Sequence, residues 1–412
     1  MAQAKFKPVE EQLAYIRKGA AEIIPEDELK AKLEHSVKTG KPLRVKLGVD
    51  PSAPDIHLGH TVVLRKLKHF QDLGHTAIFV IGGFTALIGD PSGQSETRPA
   101  LTPAQVHANA KTYLQQVYKI LHREKTEVRD NNEWLGKLTS YEIVQLCGKY
   151  RLARMLEHED FRSRLAANQP ISIHELLYPL MQAYDSVALH ADIELGATEQ
   201  KFNLLVGREI QREYGQASQI VLTMPILVGL DGERKMSKSL GNYVGVNESP
   251  REMFGKLMSI SDDLMWSYYE LLTDFSDRVI VRLREEVRQG VLHAKKAKTE
   301  LAHIIVAQFH GEAAAEQAAL DFDRVYARHE MPSQMESYIV SPEGKMKLSR
   351  IICRNGLTDS IAQAERLIKH GAVEIDGARV ADPTFSIDTN VSRKYILRVG
   401  KKPPFIIDVK GI

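Results

Sequence analysis

Residues 44–50 (RVKLGVD) and 77–82 (AIFVIG) are short apolar runs rich in β-branched side chains, and between them residues 58–73 repeat apolar positions at helical spacing, Val62, Val63, Leu67 and Phe70. The pattern predicts strand, helix, strand. Residues 193–196 and 219–227 read as two more strands around a helix over 200–214, which continues the alternation expected of a parallel, doubly wound sheet. Between these halves, about 102–189 reads as mostly helical and is expected to be an insertion into the sheet domain. From 250 to about 328 the pattern is helical and rich in charge, and 331–345 (MPSQMESYIVSPEGK) has the polar, proline-containing character of a linker. The last segment predicts two short amphipathic helices, KLSRIICRNG and SIAQAERLIKHG, closed by Gly356 and Gly371, then a hairpin over 373–380 turning at Asp376-Gly377. The expected organisation is a sheet domain over 1–249, a helical domain over 250–330, a linker over 331–345 and a small α+β domain over 346–412.

A chain of 412 residues, 43% hydrophobic and 26% charged, has ordinary globular composition and more length than one core usually organises. Cys147 and Cys353 lie far apart without a CxxC, which argues against a disulfide framework or a thiolate zinc site and fits a reducing, cytoplasmic setting. The start of the chain is polar, and its longest uncharged stretch, 77–89, is too short to span a bilayer, so neither signal peptide nor membrane anchor is expected. The net charge is only +2, but residues 341–412 hold 13 Lys+Arg against 8 Asp+Glu, so a +5 tail follows a body at −3. Such asymmetry suits a polyanionic partner on the tail, although charge alone fits chance equally well.

Two segments carry candidate chemistry. DPSAPDIHLGH, 50–60, follows the first strand, where an open α/β sheet binds ligands and the next helix offers free N–H groups to phosphate. His57 and His60 share one face of that first helical turn, and Gly59 leaves room for a nucleotide. Read alone, HxGH also fits a surface helix start with two solvated histidines. ERKMSKSLGN, 233–242, is a cationic loop after the last strand, in which Lys235 and Lys238 can present two ammonium groups to a triphosphate. Tyr178, Gln182 and Asp185 fall at i, i+4 and i+7 of a predicted helix, a single polar stripe that fits either a binding wall or an exposed face.

HLGH followed by KMSKS resembles the class I aminoacyl-tRNA synthetases, and LGVDPSAPDIHLGH, IGDPSG (88–93), YPLMQAYD (178–185) and GATEQ (196–200) are similar to the bacterial tyrosyl-tRNA synthetases. The resemblance runs from about Leu43 to the end and implies a Rossmann-like catalytic domain with a helical insertion and an S4-like RNA-binding domain at the C-terminus. It implies activation of L-tyrosine by ATP to tyrosyl-adenylate, then transfer to tRNA(Tyr), with Mg²⁺ bound mainly through ATP phosphates and no dedicated protein metal site. By resemblance, Ser52, His57, His60, Lys235 and Lys238 act on the phosphates. Gly48, Asp50, Gly59 and Glu199 line the nucleotide, and Tyr178, Gln182, Asp90 and Gln200 surround the α-ammonium while Asp185 accepts the phenol O–H. Asn131 matches an asparagine near the substrate. Lys347, Arg350, Arg354, Arg366 and Lys369 are expected on tRNA phosphates, and the helical insertion in a homodimer interface.

The chain departs from the family pattern at Lys46, where many members carry a tyrosine; the lysine could donate to the phenol or pair with Asp185. It departs again at GATEQ, which commonly reads GGSDQ or GGTDQ. A tryptophanyl enzyme, a noncatalytic RNA-binding protein and a shorter HxGH nucleotidyltransferase are the competing readings. The basic tail opposes the first, and intact HLGH with KMSKS opposes the other two.

Overall fold

The apolar runs become the centre of a six-stranded sheet: β1 (Glu22–Ile24), β2 (Arg44–Val49), β3 (Thr76–Ile81), β4 (Thr126–Asp130), β5 (Ile193–Ala197) and β6 (Ile220–Met224), in the order β1-β6-β5-β2-β3-β4. Only β1 runs antiparallel to its neighbour. Val45, Ile78, Phe79, Val80, Ile193, Leu195, Val221 and Leu222 are all buried, because parallel strands covered by helices on both faces must be apolar on both faces. The computed structural model describes residues 6–51, 54–92, 102–326, 337–400 and 404–411. Ser52 and Gly93 lie outside them.

The chain runs β2, β3, β4 toward one edge, then returns to place β5 and β6 on the other side of β2. The strand order reverses between β2 and β5, and the crevice beyond their carboxyl ends is where such a sheet binds ligands. Three helices frame it: α1 (Leu58–Asp72) after β2, α2 (Ile173–Leu189) before β5 and α3 (Lys201–Glu213) after it. Leu180, Met181 and Val187 of α2 pack with Val206 and Ile210 of α3 in one buried cluster.

Several boundaries differ from the expected ones. The segment 102–189 contains β4, so the helix Pro103–Val117 is part of a crossover between β3 and β4, and only the short helices between β4 and α2 are extra to the sheet. TEVRD holds a single apolar residue, Val128, because β4 is an edge strand, half-buried throughout, and so carries no hydrophobic signature. Residues 250–310 are helical as expected, but they belong to the first of two compact units, 1–315, instead of standing apart. Tyr268 donates to Val228 O and Lys18 to Thr273 O across that supposed boundary.

The second unit, 316–412, contains the whole of the expected linker. Ser337–Val340 is a strand pairing in parallel with Phe405–Val409, at the edge of a five-stranded sheet, where half of its side chains are exposed. Residues 327–336 lie outside the description. The two predicted helices are Leu348–Arg354 and Ile361–Lys369, each followed by a left-handed glycine, Gly356 at φ 69° and Gly371 at φ 67°. Val373–Ile375 and Ala378–Val380 pair as the hairpin, with Asp376 and Gly377 both at positive φ, as a two-residue primed turn requires.

Candidate active site

A cavity of about 530 Å³ opens beyond the carboxyl ends of β2 and β5, and residues of HLGH, KMSKS, α2 and GATEQ line it together. His57 and His60 stand at its rim on the first turn of α1. His57 caps the helix, its Nδ1 accepting from Gly59 N at 3.1 Å, while His60 Nδ1 accepts from His57 N at 3.2 Å. With both Nδ1 atoms acting as acceptors, the ring protons sit on Nε2. Burial, then the neighbouring imidazole and the Lys238 charge, lowers His57 to about 3; burial and Lys238 lower His60 to about 4. Both rings are therefore neutral donors near neutral pH. A Cβ on Gly59 would press on the His57 ring, so the glycine protects the cap as well as the nucleotide space.

The KMSKS loop is fastened to this rim. Met236 is buried, Met236 N donates to Leu227 O at 2.9 Å, and Leu58 N donates to Val244 O at 2.9 Å. Asn242, a residue the sequence reading did not single out, donates to Asp231 Oδ2 at 2.8 Å and Lys235 O at 3.1 Å, while accepting from Ser237 N at 2.8 Å. The two lysines thus project from a pinned backbone. Lys235 Nζ bonds Glu199 Oε2 at 3.1 Å, and Lys238 Nζ donates to Asp55 O at 2.7 Å.

Deeper in the cavity the walls are acidic. Asp50 accepts from Thr85 Oγ1 at 2.7 Å and from Tyr178 Oη at 2.9 Å, so its side chain, expected beside the nucleotide, is held next to Tyr178 as a wall of the pocket. Gly82 makes this possible, since a Cβ there would overlap the Asp50 carboxylate. Asp90 accepts from Ser92 N at 2.9 Å and from Gln200 Nε2 at 2.7 Å. Burial raises Asp50 to about 7, opposed by the Thr85 hydrogen bond and assisted by the charge of Asp90. Such a cluster favours a cation.

Asp185 lies two helical turns from Tyr178 along α2, about 10 Å by helix rise. It is 3% exposed and accepts from Trp134 Nε1 at 2.8 Å and Asn131 Nδ2 at 3.2 Å. Burial raises it to about 6 against the Lys46 charge and those two hydrogen bonds. Asn131, expected near the substrate, bonds Asp185 and lines the cavity; Trp134 and Thr85 were missed, because a single aromatic or hydroxyl in a one-turn helix carries no spacing signal.

Lys46 corrects both expected alternatives. Its Nζ pairs with Glu194 Oε1 at 3.1 Å and donates to Gln182 O at 3.1 Å; no bond to Asp185 forms, and the side chain is not among the residues lining the cavity. Gln182 does line it, but its Nε2 donates to Glu194 Oε1 at 3.1 Å. Glu194 was missed although it left a signal, a carboxylate inside the otherwise apolar run of β5. In the second unit all five predicted basic residues are exposed. Lys347 and Arg354 pair with Glu365 and Glu343, whereas Arg350, Arg366 and Lys369 have no acidic partner among the described residues.

A family model described as class I tRNA synthetases (W and Y) matches residues 38–327, and one described as the tyrosine–tRNA ligase SYY-like C-terminal domain matches 328–407. The tyrosine–tRNA ligase of Moorella thermoacetica is 53% identical over 394 residues, 96% of this chain and 95% of that protein. The chain belongs to the tyrosine–tRNA ligase family. The Oleidesulfovibrio alaskensis ligase is likewise 53% identical, over 96% of this chain and 98% of its own. Among solved structures, tyrosyl-tRNA synthetase of Archaeoglobus fulgidus complexed with L-tyrosine shares the fold at TM-score 0.62 and 24% identity, covering 76% of this chain and all of that one.

Proposed function

We propose that the cavity activates L-tyrosine with ATP and that the basic second unit presents tRNA(Tyr) for the transfer. The observation that carries this reading is the single cavity joining His57, His60, Lys235 and Lys238 at its rim to Asp50, Asp90 and Asp185 at its base. The substrate ammonium sits among Asp50, Asp90, Tyr178, Gln182 and Gln200, and the phenol donates to Asp185. The tyrosine carboxylate oxygen then attacks the α-phosphorus of ATP, the bond to the bridging oxygen of the β-phosphate breaks, and pyrophosphate leaves. No enzyme nucleophile is needed, so catalysis is positioning plus stabilisation of phosphate charge. Neutral His57 and His60 donate from Nε2, and Lys235 and Lys238 exchange their carboxylate and carbonyl partners for phosphate oxygens. Gly48 and Gly59 leave room for the nucleotide, and Glu199, once released by Lys235, is free for the ribose. A 3′-terminal ribose hydroxyl of tRNA finally attacks the activated carbonyl and releases AMP.

Magnesium would reach the site on the ATP phosphates and neutralise part of their charge. No group of three His, Cys, Asp or Glu among the described residues is arranged to hold a metal ion. Homodimerisation belongs to the proposal, supported by Tyr141, Val144, Leu152 and Leu165, large apolar residues 58–69% exposed on the short helices before α2. A monomer by sedimentation at assay concentration overturns that part. The bacterial relatives and the two free cysteines support a cytoplasmic setting. No helix among the described residues is long and apolar enough to cross a membrane.

Pyrophosphate exchange with each amino acid tests the reading: exchange with tryptophan and not tyrosine defeats it. Removal of residues 328–412 is expected to leave tyrosine-dependent exchange within about twofold while lowering tRNA charging at least about a hundredfold, since a basic surface supplies most nucleic-acid affinity. Equal loss of both activities would contradict separate roles.

The acidic base of the cavity also predicts a pH dependence. Asp50 and Asp185 are raised to about 7 and about 6, so from about pH 4 to 7 the folded state holds protons that the unfolded chain has released. Their contribution to the stability of the unligated protein therefore falls as pH rises through that window. Ammonium and phenol both prefer the ionised carboxylates, so tyrosine affinity is expected to rise about tenfold between about pH 5.5 and 7.5, with proton release on binding. Calorimetry in two buffers of different ionisation enthalpy measures it; proton uptake at about pH 6 would refute it.

A further inference from the structure

Lys46 and Glu194 are register partners on β2 and β5, and each side chain is 1% exposed, with Nζ and Oε1 3.1 Å apart. A buried ion pair is seldom more stable than the apolar pair that could replace it, so its presence beside a binding cavity calls for a role other than stability. Glu194 collects donors: Gln182 Nε2 and Ser186 Oγ at 3.1 Å, and Gln219 Nε2. Lys46 Nζ in addition donates to the main-chain oxygen of Gln182 at 3.1 Å. The other end of the Gln182 amide, Oε1, is buried and accepts no hydrogen bond among the described residues, although Gln182 lines the cavity.

An ionised carboxylate only accepts, so of the two ends of the Gln182 amide only the NH₂ can face Glu194. We infer that the Lys46–Glu194 pair is a positioning device that locks the Gln182 amide with its oxygen directed to the substrate ammonium. Lys46 pairs with Glu194 and holds the Gln182 backbone, and Glu194 holds the amide. With Glu194 replaced by a neutral amide, Gln182 can turn its NH₂ toward the ammonium, and one acceptor becomes a repelling donor. This rests on the reading that Gln182 receives the α-ammonium.

The test is equilibrium binding, with the full chain, of tyramine, which keeps the ammonium and lacks the carboxylate, and of 3-(4-hydroxyphenyl)propionate, which keeps the carboxylate and lacks the ammonium. Glu194→Gln is expected to weaken tyramine about tenfold and to change the propionate by less than about twofold, as loss of one charge-assisted hydrogen bond implies. Equal weakening of both ligands, or of neither, overturns the inference. Gln182→Leu is measured beside it: if that variant keeps tyramine affinity, the ammonium reading of Gln182 itself fails. If it loses tyramine while Glu194→Gln does not, the positioning role alone fails. Should Glu194→Gln not fold, Lys46→Met/Glu194→Gln, which buries no net charge, carries the same outcomes.

Discussion

Asp185→Ala is expected to lower kcat/KM for tyrosine in pyrophosphate exchange by about 10²- to 10³-fold and to leave KM for ATP within about threefold, because the change removes a buried acceptor and strands its donors. The carboxylate is 3% exposed and accepts from Trp134 Nε1 and Asn131 Nδ2. Without it, those two N–H groups and the substrate phenol all face an apolar methyl. A lost charge-assisted hydrogen bond costs about 1.5–3 kcal/mol and an orphaned buried donor about 1–3 kcal/mol. At about 1.4 kcal/mol per tenfold, a combined loss near 3–4 kcal/mol gives the stated range. The same physics rejects a substrate that lacks the hydroxyl, since the acid would then be buried without its partner. Exchange kinetics with tyrosine and ATP varied separately, alongside a thermal melt of the variant, checks this. A defect confined to ATP would mean that α2 does not bind the amino acid.

Lys235→Ala and Lys238→Ala are each expected to reduce the rate of tyrosine activation by about 10²-fold with little change in tyrosine affinity, the behaviour of donors aimed at charge that builds on departing pyrophosphate. Their present partners do not prevent this. The Lys235–Glu199 pair is 46% and 35% exposed, and exposed pairs contribute little, so trading it for a triphosphate costs little. Lys238 gives up a bond to Asp55 O, again at the rim. The neutral histidines beside it cannot compensate, because they bring hydrogen bonds without charge. Single-turnover adenylate formation separates rate from affinity. A variant that keeps the wild-type rate and loses only tyrosine binding would remove the lysines from the phosphate site.

The buried strands, the helix after HLGH and the two helices and hairpin of the tail were legible because each carries a period or a turn signal that its packing then enforces. β4 and Ser337–Val340 were not, since edge strands are half solvated and need no apolar run. The same distinction divides the site. His57, His60, Lys235, Lys238, Tyr178, Gln182 and Asp185 are marked by motif or helical spacing, whereas Thr85, Trp134 and Glu194 enter through contacts between elements distant in the chain, and Asn242 through bonds that fold its own loop.

The amino-acid order by itself therefore determined the doubly wound class, the two phosphate-facing motifs and the stripe on α2, all set by local periodicity and residue chemistry. Tertiary structure decided that Asp50 turns its carboxylate into the pocket, that Lys46 pairs with Glu194 and not Asp185, and that both histidines are neutral. Those outcomes depend on which groups share a buried volume and which way each dipole must point there, and neither quantity exists until the strands are side by side.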